Sequence, residues 1–370
     1  MNTTNRTPRK SHILIMAVIA ALLLSMSLCA VAQAASVWDG TIPTTRPAGF
    51  EIDYDNRAIR IHDAASLAYL HNYDMEKDYQ NAISDGKGTY NNFYYAWGWT
   101  VYLETDIDLN NHPWTPVSFG VGSNSRKDRK GFDGQGHTIS NLKVNASTDG
   151  AGLFATVRDL SNLTIENAQV TSTSSSVGVA AGSCSGTAKN VHVINAKVTG
   201  AKYVGGIAGY AYANFIDCSV KNSTLTNTGH KDVGGIVGYL CDPKTVTGNS
   251  VSNTTIKNTS SNSEQNVGAI VGRWNYPEKI VDGVLRKGVL ENNKTDSSLP
   301  LVDADVNGTM PVQQADPRLP ALQPAPLPPS AMTDMPQTGD SSQMLLWLSA
   351  LIVAITSVML INRKRISTHD

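Results

Sequence analysis

Cysteine is scarce in this 370-residue chain, and what there is cannot crosslink it. Cys29 lies in an apolar N-terminal segment, which leaves only Cys184, Cys218 and Cys241. Three cysteines do not close a disulfide framework, so stability has to come from burial and backbone pairing. Basic charge is also in short supply. With the two terminal segments described below set aside, 24 Lys and Arg stand against 29 Asp and Glu, a net charge near −5. That balance excludes nucleic acid as an expected partner, which would need a basic surface. No His-Glu-x-x-His sequence occurs, so the zinc chemistry built on such a helix is excluded. Gly182-Ser183-Cys184-Ser185-Gly186 has the spacing of a nucleophile elbow with cysteine at its centre, yet it falls in the register of a repeat turn and is read as turn chemistry. No catalytic residue is assigned.

What the chain does have is repetition. Glycine-rich segments recur as Gly152-Leu153-Phe154, Gly178-Val179-Ala180-Ala181-Gly182, Gly205-Gly206-Ile207-Ala208-Gly209, Gly234-Gly235-Ile236-Val237-Gly238 and Gly268-Ala269-Ile270-Val271-Gly272, starting 26, 27, 29 and 34 residues apart. Between them runs an apolar-x-Asn-x-x-apolar pattern: Ile139/Asn141/Val144, Ile165/Asn167/Val170, Val193/Asn195/Val198, Val220/Asn222/Leu225 and Val251/Asn253/Ile256. A unit this small cannot bury an apolar face alone, whereas stacked units merge those faces into one core. The expected fold is therefore all-β, a parallel β-helix (β-solenoid) of about five to six coils. In that stack Asn141, Asn167, Asn195, Asn222 and Asn253 form a structural ladder, because Asn tolerates tight turns and its amide bonds to the coils above and below. Lys287 is expected at the equivalent place of the next coil, where the stack ends. Cys218 is expected opposite Leu163 and Val191, pointing inward, while Cys184 and Cys241 are expected two coils apart and all three thiols unpaired. A leucine-rich-repeat horseshoe has an overlapping period, but there the Asn follows the last Leu by three places rather than two.

The two ends read as export and anchoring signals. Arg6, Arg9 and Lys10 precede an apolar stretch over 13–31, and Ala32-Gln33-Ala34 supplies a small-x-small cleavage site before Ala35, so 1–34 is expected to be a signal peptide. At the other end Met335-Pro336-Gln337-Thr338-Gly339 precedes an uncharged apolar run over 344–361 and then Arg363-Lys364-Arg365. Eighteen residues at about 1.5 Å each reach roughly across a bilayer, with the cationic cluster held on the cytoplasmic side. The pentapeptide resembles the LPxTG signal of Gram-positive sortase substrates, with Met335 in place of Leu. That resemblance implies cleavage between Thr338 and Gly339 and transfer of the Thr338 carboxyl to peptidoglycan, with sortase as the partner and the cell wall as the location. The proline-rich stretch 311–329 cannot form a core and is expected to be an extended stalk.

Ahead of the repeats, Asp63 is placed to cap a helix over 64–72 that carries Leu67, Leu70 and Tyr73 on one face and would cover the first coil. An aromatic cluster follows: Tyr90, Phe93, Tyr94, Tyr95, Trp97, Trp99 and Tyr102, with Trp114 beyond. Tyr94, Trp97 and Trp99 are expected either to form a platform for sugar rings or to plug the cap as buried apolar area. Asp106 and Asp108 are candidate calcium ligands; no other metal or cofactor is expected. Arg126-Lys127-Asp128-Arg129-Lys130 reads as a solvated loop.

The ordered series Asp106-Ile107-Asp108-Leu109, Trp114-Thr115-Pro116-Val117 and Phe132-Asp133-Gly134-Gln135-Gly136-His137-Thr138-Ile139, followed by the Gly-Leu-Phe and Gly-Gly-Ile-x-Gly segments, resembles the GLUG-repeat family of bacterial surface proteins over roughly 50–290. The resemblance implies a β-helical extracellular module of the kind found in adhesin-like proteins and beside some immunoglobulin A proteases, and it brings no catalytic residues. The chain is thus read as 1–34 signal peptide, 35–131 cap and first coils, 132–295 solenoid, 296–334 stalk and 335–370 sorting signal with its membrane span and tail. Its expected function is a wall-anchored binding module for a host or environmental glycan or protein. The alternatives are a wall-bound carbohydrate-active enzyme, which would need carboxylates aligned on successive coils, and a plain structural spacer. On the equivalence of coils, Glu166 faces Ile194, Lys221 and Ser252.

Overall fold

The computed structural model describes residues 35–73, 99–118, 131–229, 231–261, 265–282 and 284–305. The chain winds as a stacked series of parallel strands, a β-solenoid of about six coils with almost no helix. A complete coil is seen from 159 onward. Asp159–Glu166 forms the first face, Gln169–Ser172 the second, Ser175–Val177 the third and Ala181–Cys184 the fourth, before Thr187–Ile194 returns to the first. The four faces grow into sheets of 15, 5, 4 and 7 strands. Within the coils each strand hydrogen-bonds to its counterpart one coil on, so the partner in space is a full repeat away in sequence.

The register places like above like. On the first face Ile139, Ile165, Val193, Val220 and Val251 form one inward column. On the second, Val144, Val170, Val198, Leu225 and Ile256 form another. These side chains are buried and belong to one continuous apolar core. Volume is shared between columns rather than fixed within one: Phe154 stands over Ala181 and Ala208 on the fourth face, while Phe132, Leu160, Ala188 and Phe215 follow each other on the first. Phe132 and Phe154 meet across the lumen at 5.0 Å between ring centres. Large residues on one face thus stand over small ones on another, which keeps the lumen filled from coil to coil.

Two corner chemistries hold the coil closed. Between the first and second faces sit Asn141, Asn167, Asn195, Asn222 and Asn253, all left-handed with φ from 47° to 58°. Asn is the side chain that pays least for that backbone. Asn195 donates to Asn167 Oδ1 at 3.3 Å, Asn253 to Asn222 Oδ1 at 2.8 Å, and Asn141 to Asp108 Oδ1 at 2.7 Å. The amides thus join neighbouring coils in pairs rather than in one unbroken ladder. Between the third and fourth faces lie the glycine-rich segments, where backbone meets backbone. A Cβ on Gly235 would stand 2.0 Å from Ala269 O, and one on Gly209 2.1 Å from Val177 N.

Several expectations are corrected here. Ala58–Ile61 and Thr100–Leu103 pair in parallel below Gly131–Asp133, and Val302–Asp305 pairs with Val271–Asn275 above. Lys287 is not a ladder position. It lies on a protruding antiparallel hairpin, Glu278–Val281 with Val284–Lys287, and the next coil enters at Val289–Glu291 against Thr245–Thr247. A period count cannot see that insertion. Each coil carries four strand faces, and on the third and fourth the glycines interrupt the alternation by which a strand is read from sequence. The helix is present but shorter than expected, Ala64–Tyr69, with the Asp63 carboxylate accepting Ser66 N at 2.7 Å. It closes early through Leu70 N to Leu67 O and His71 N to Ala68 O, the bonds of a tightened final turn.

Candidate binding face

Of the candidate residues named from sequence, Ala32, Ala34, Tyr94, Trp97 and the pentapeptide Met335 to Gly339 lie outside the described residues, as do 344–361, the stalk 311–329 and the basic loop 126–130. Ala35 opens the described chain just ahead of the first strand, Ser36–Val37, and is half-buried. Trp99 is described, and it is a core residue: 5% exposed, its ring edge-on to Tyr54 at 6.1 Å. Trp114 is likewise buried, with its indole N–H bonded to Leu153 O at 2.9 Å. Neither ring offers a face to a sugar, because both faces are spent on packing.

Asp106 and Asp108 are already engaged. Asp106 Oδ1 accepts Thr138 N at 2.8 Å and faces His137 Nδ1 at 3.1 Å, while Asp108 Oδ1 accepts Asn110 N and Asn141 Nδ2, both at 2.7 Å. Their geometry is that of corner braces. Among the described residues no group of three or more His, Cys, Asp or Glu converges as a metal site would. The Glu166 column does continue through Ile194, Lys221 and Ser252, so carboxylates do not align there on successive coils.

The three thiols are unpaired, and Cys184 and Cys241 are buried as well as Cys218. Cys218 Sγ lies 3.4 Å from Ala188 O and 3.3 Å from Ile216 O, and its backbone N–H donates to the buried amide of Asn249. Cys184 Sγ lies 3.4 Å from Arg158 O. Burial pushes the Cys184 and Cys218 thiols up to about 12. A thiol held neutral in this way is no nucleophile, so the elbow-like spacing around Cys184 is structural.

One outward strip differs from the Ser, Thr and Asn that cover the coils. On the fourth face the position after the last glycine of each repeat points out, and the register runs Ser183, Tyr210, Tyr239, Arg273. Tyr210 and Tyr239 are stacked, 5.3 Å apart and 6° from parallel. Tyr203, on the third face with φ 53°, leans across the corner to 4.7 Å from Tyr239 and 5.7 Å from Tyr210. Tyr212 stands edge-on to Tyr210 at 5.4 Å, with the two hydroxyls 3.0 Å apart and Tyr212 42% exposed. The ammonium of Lys202 sits over the Tyr203 ring at 4.6 Å. Lys231 lies on the strand that pairs with Lys202–Gly205. Beneath the rings is a buried carboxylate, Asp232, beside Arg273 Nε at 3.9 Å and accepting Asn266 Nδ2. Partial burial raises the Tyr210 and Tyr239 phenols well above their usual range, so both stay protonated donors across ordinary pH. Sequence reading missed this cluster. Its signal was the residue after Gly209, Gly238 and Gly272, visible only once the repeats are written in register.

Comparison with known proteins places residues 200–228, the coil that carries Tyr203, Tyr210 and Tyr212, on the model for the GLUG motif. Halomucin of Haloquadratum walsbyi is 37% identical over 138 residues, covering 34% of this chain and 2% of halomucin, so the chain spans a very small part of that relative. Among solved structures, a candidate immunoglobulin A1 protease from Bacteroides ovatus matches 66% of this chain and 69% of its own length at 16% identity, with a TM-score of 0.35.

Proposed function

We propose that this chain is a cell-surface protein whose solenoid presents a ligand-binding face, and that sortase joins it to the cell wall through Thr338. The observation that carries the binding reading is the four-tyrosine strip, since half-exposed aromatic rings with hydroxyl rims are the residues that binding surfaces concentrate. The surface location is supported by the GLUG motif and the likeness to halomucin. The anchoring is supported by the order of pentapeptide, apolar run and cationic end. The helix Ala64–Tyr69 is read as the cap that keeps the first coil from pairing edge to edge with another chain.

The test is a binding screen with the full chain displayed on cells, against host matrix proteins and a glycan panel, beside a variant carrying Tyr210→Ser and Tyr239→Ser. Retention of a ligand by the parent and its loss by the variant supports the reading. Equal retention by both places binding elsewhere, and no ligand for either would favour a structural spacer. Release of an unsaturated or reducing sugar from the panel would instead favour a carbohydrate-active enzyme.

A further inference from the structure

The tyrosine strip has a direction, and its border has a charge. Tyr239 covers one face of the Tyr210 ring, while on the other side the column steps down to the small hydroxyl side chains of Ser183 and then Thr156, with Tyr203 and Tyr212 flanking the ring. The result is a shelf floored by hydroxyls and walled by an aromatic face, the shape that takes the flat C–H face of a pyranose ring. Along its edge stand Lys202 and Lys231 on neighbouring strands. Among the described residues neither forms an ion pair within 4.0 Å, although the rest of the molecule is acidic. Of the nearby carboxylates, Asp149 binds Ser174 and Ser175 and feels the Lys202 charge from beyond ion-pair distance, and Asp232 is buried with Asn266 and Arg273. Two cations on neighbouring strands, with no carboxylate in direct contact, attract an anion that can meet both.

Resting on the binding-module reading above, we infer that Tyr210, Tyr203, Lys202, Lys231 and the Ser183 shelf bind an acidic polysaccharide, a chain of pyranose rings bearing carboxylate or sulfate groups. The ring face supplies stacking and the lysines neutralise the anionic groups as the glycan crosses the corner between the third and fourth faces. Lys202 is already positioned over the Tyr203 ring, so its charge is ordered before the ligand arrives.

The experiment measures binding of the purified full chain in detergent to dextran, dextran sulfate and polygalacturonate at low and moderate salt. The expected result is that at least one anionic polymer binds about tenfold or more tightly than neutral dextran and weakens as salt rises. Sulfated dextran alone, polygalacturonate alone, or both would name sulfate, carboxylate or charge itself as what is read, and each supports the inference. Tyr210→Ser, which restores the residue of the preceding coil, should lower that affinity about tenfold at any salt. The double variant Lys202→Gln with Lys231→Gln should lower it similarly and flatten the salt dependence. Both changes are on the outside of the coil, and an unchanged melting curve establishes that the variants fold. Equal binding of dextran with silent lysine variants would overturn the anionic ligand while leaving a binding module in place. Anionic binding untouched by all three substitutions would overturn the site. Failure of every polysaccharide would overturn the inference, and a matrix protein retained in the earlier screen would then keep the broader reading alive.

Discussion

Asn222 shows what a single corner residue does. Its φ of 53° costs most side chains about 1–2 kcal/mol, and its carbonyl accepts the amide of Asn253 at 2.8 Å. Asn222→Ala should therefore lower stability by roughly 2 kcal/mol, read from the denaturation midpoint, whereas Asn222→Gly should cost about half as much because it keeps the backbone and loses only the amide. Cys184 and Cys218 make a pH prediction. Their folded values near 12 exceed the ordinary 9.0, so below pH 9 both states hold the proton and the thiols contribute fully. Above pH 9 the unfolded chain releases protons that the folded chain keeps. Stability should fall as pH rises from 9 toward 12, and thiol labelling of the native protein at pH 8 should find neither residue until it is unfolded. Rapid labelling of the folded protein would show that the burial is wrong.

At the scale of elements, the glycine corners and the hairpin behave oppositely. At Gly235 the third and fourth faces turn against the carbonyl of the next coil, and Gly235→Ala drives a methyl into Ala269 O. The backbone of two coils would have to part, so a loss of about 3 kcal/mol or more is expected in thermal or chemical unfolding. The hairpin Glu278–Val281/Val284–Lys287 instead hangs outside the ladder, with Ile280 70% and Leu285 52% exposed. Its ends already meet, since Gly288 N donates to Pro277 O at 2.7 Å. Replacing 278–287 with a short glycine turn should move the melting temperature by only a degree or two, because few buried contacts go with it. A large drop would mean that the hairpin supports the coils on either side.

For the whole molecule, the solenoid makes stability a sum over neighbouring coils, and the anchoring proposal makes location depend on one residue. Thr338→Ala should leave export and folding unchanged. It should shift the protein from the fraction released by peptidoglycan digestion to the membrane fraction, as followed by immunoblot. An unaltered wall fraction would end the sortase reading and leave the span 344–361 as a simple anchor.

The sequence by itself determined the period, the parallel stacking and the corner asparagines, because each follows from local chemistry repeated at a regular interval. Apolar residues two apart make a strand's inward face, their counterparts a repeat on continue it as a column, and an Asn in each copy marks the left-handed bend, as at Asn167 and Asn195. It also supplied the inward place of Cys218, which needed only counting from Leu163 and Val191. What the tertiary structure decided is everything that depends on neighbours a full coil apart where the count slips. The hairpin after Trp274 moved the place equivalent to Asn253 from Lys287 to Ser297, two residues past the Val251–Thr295 pair, and Trp99, read as a platform or a plug, was settled as core by the packing of Tyr54 and the first strands. The tyrosine strip is the sharpest case. Tyr203 and Tyr210 flank one glycine-rich segment and Tyr239 follows the next, all ordinary residues in the sequence, and only the hydrogen-bonded register sets their rings against one another.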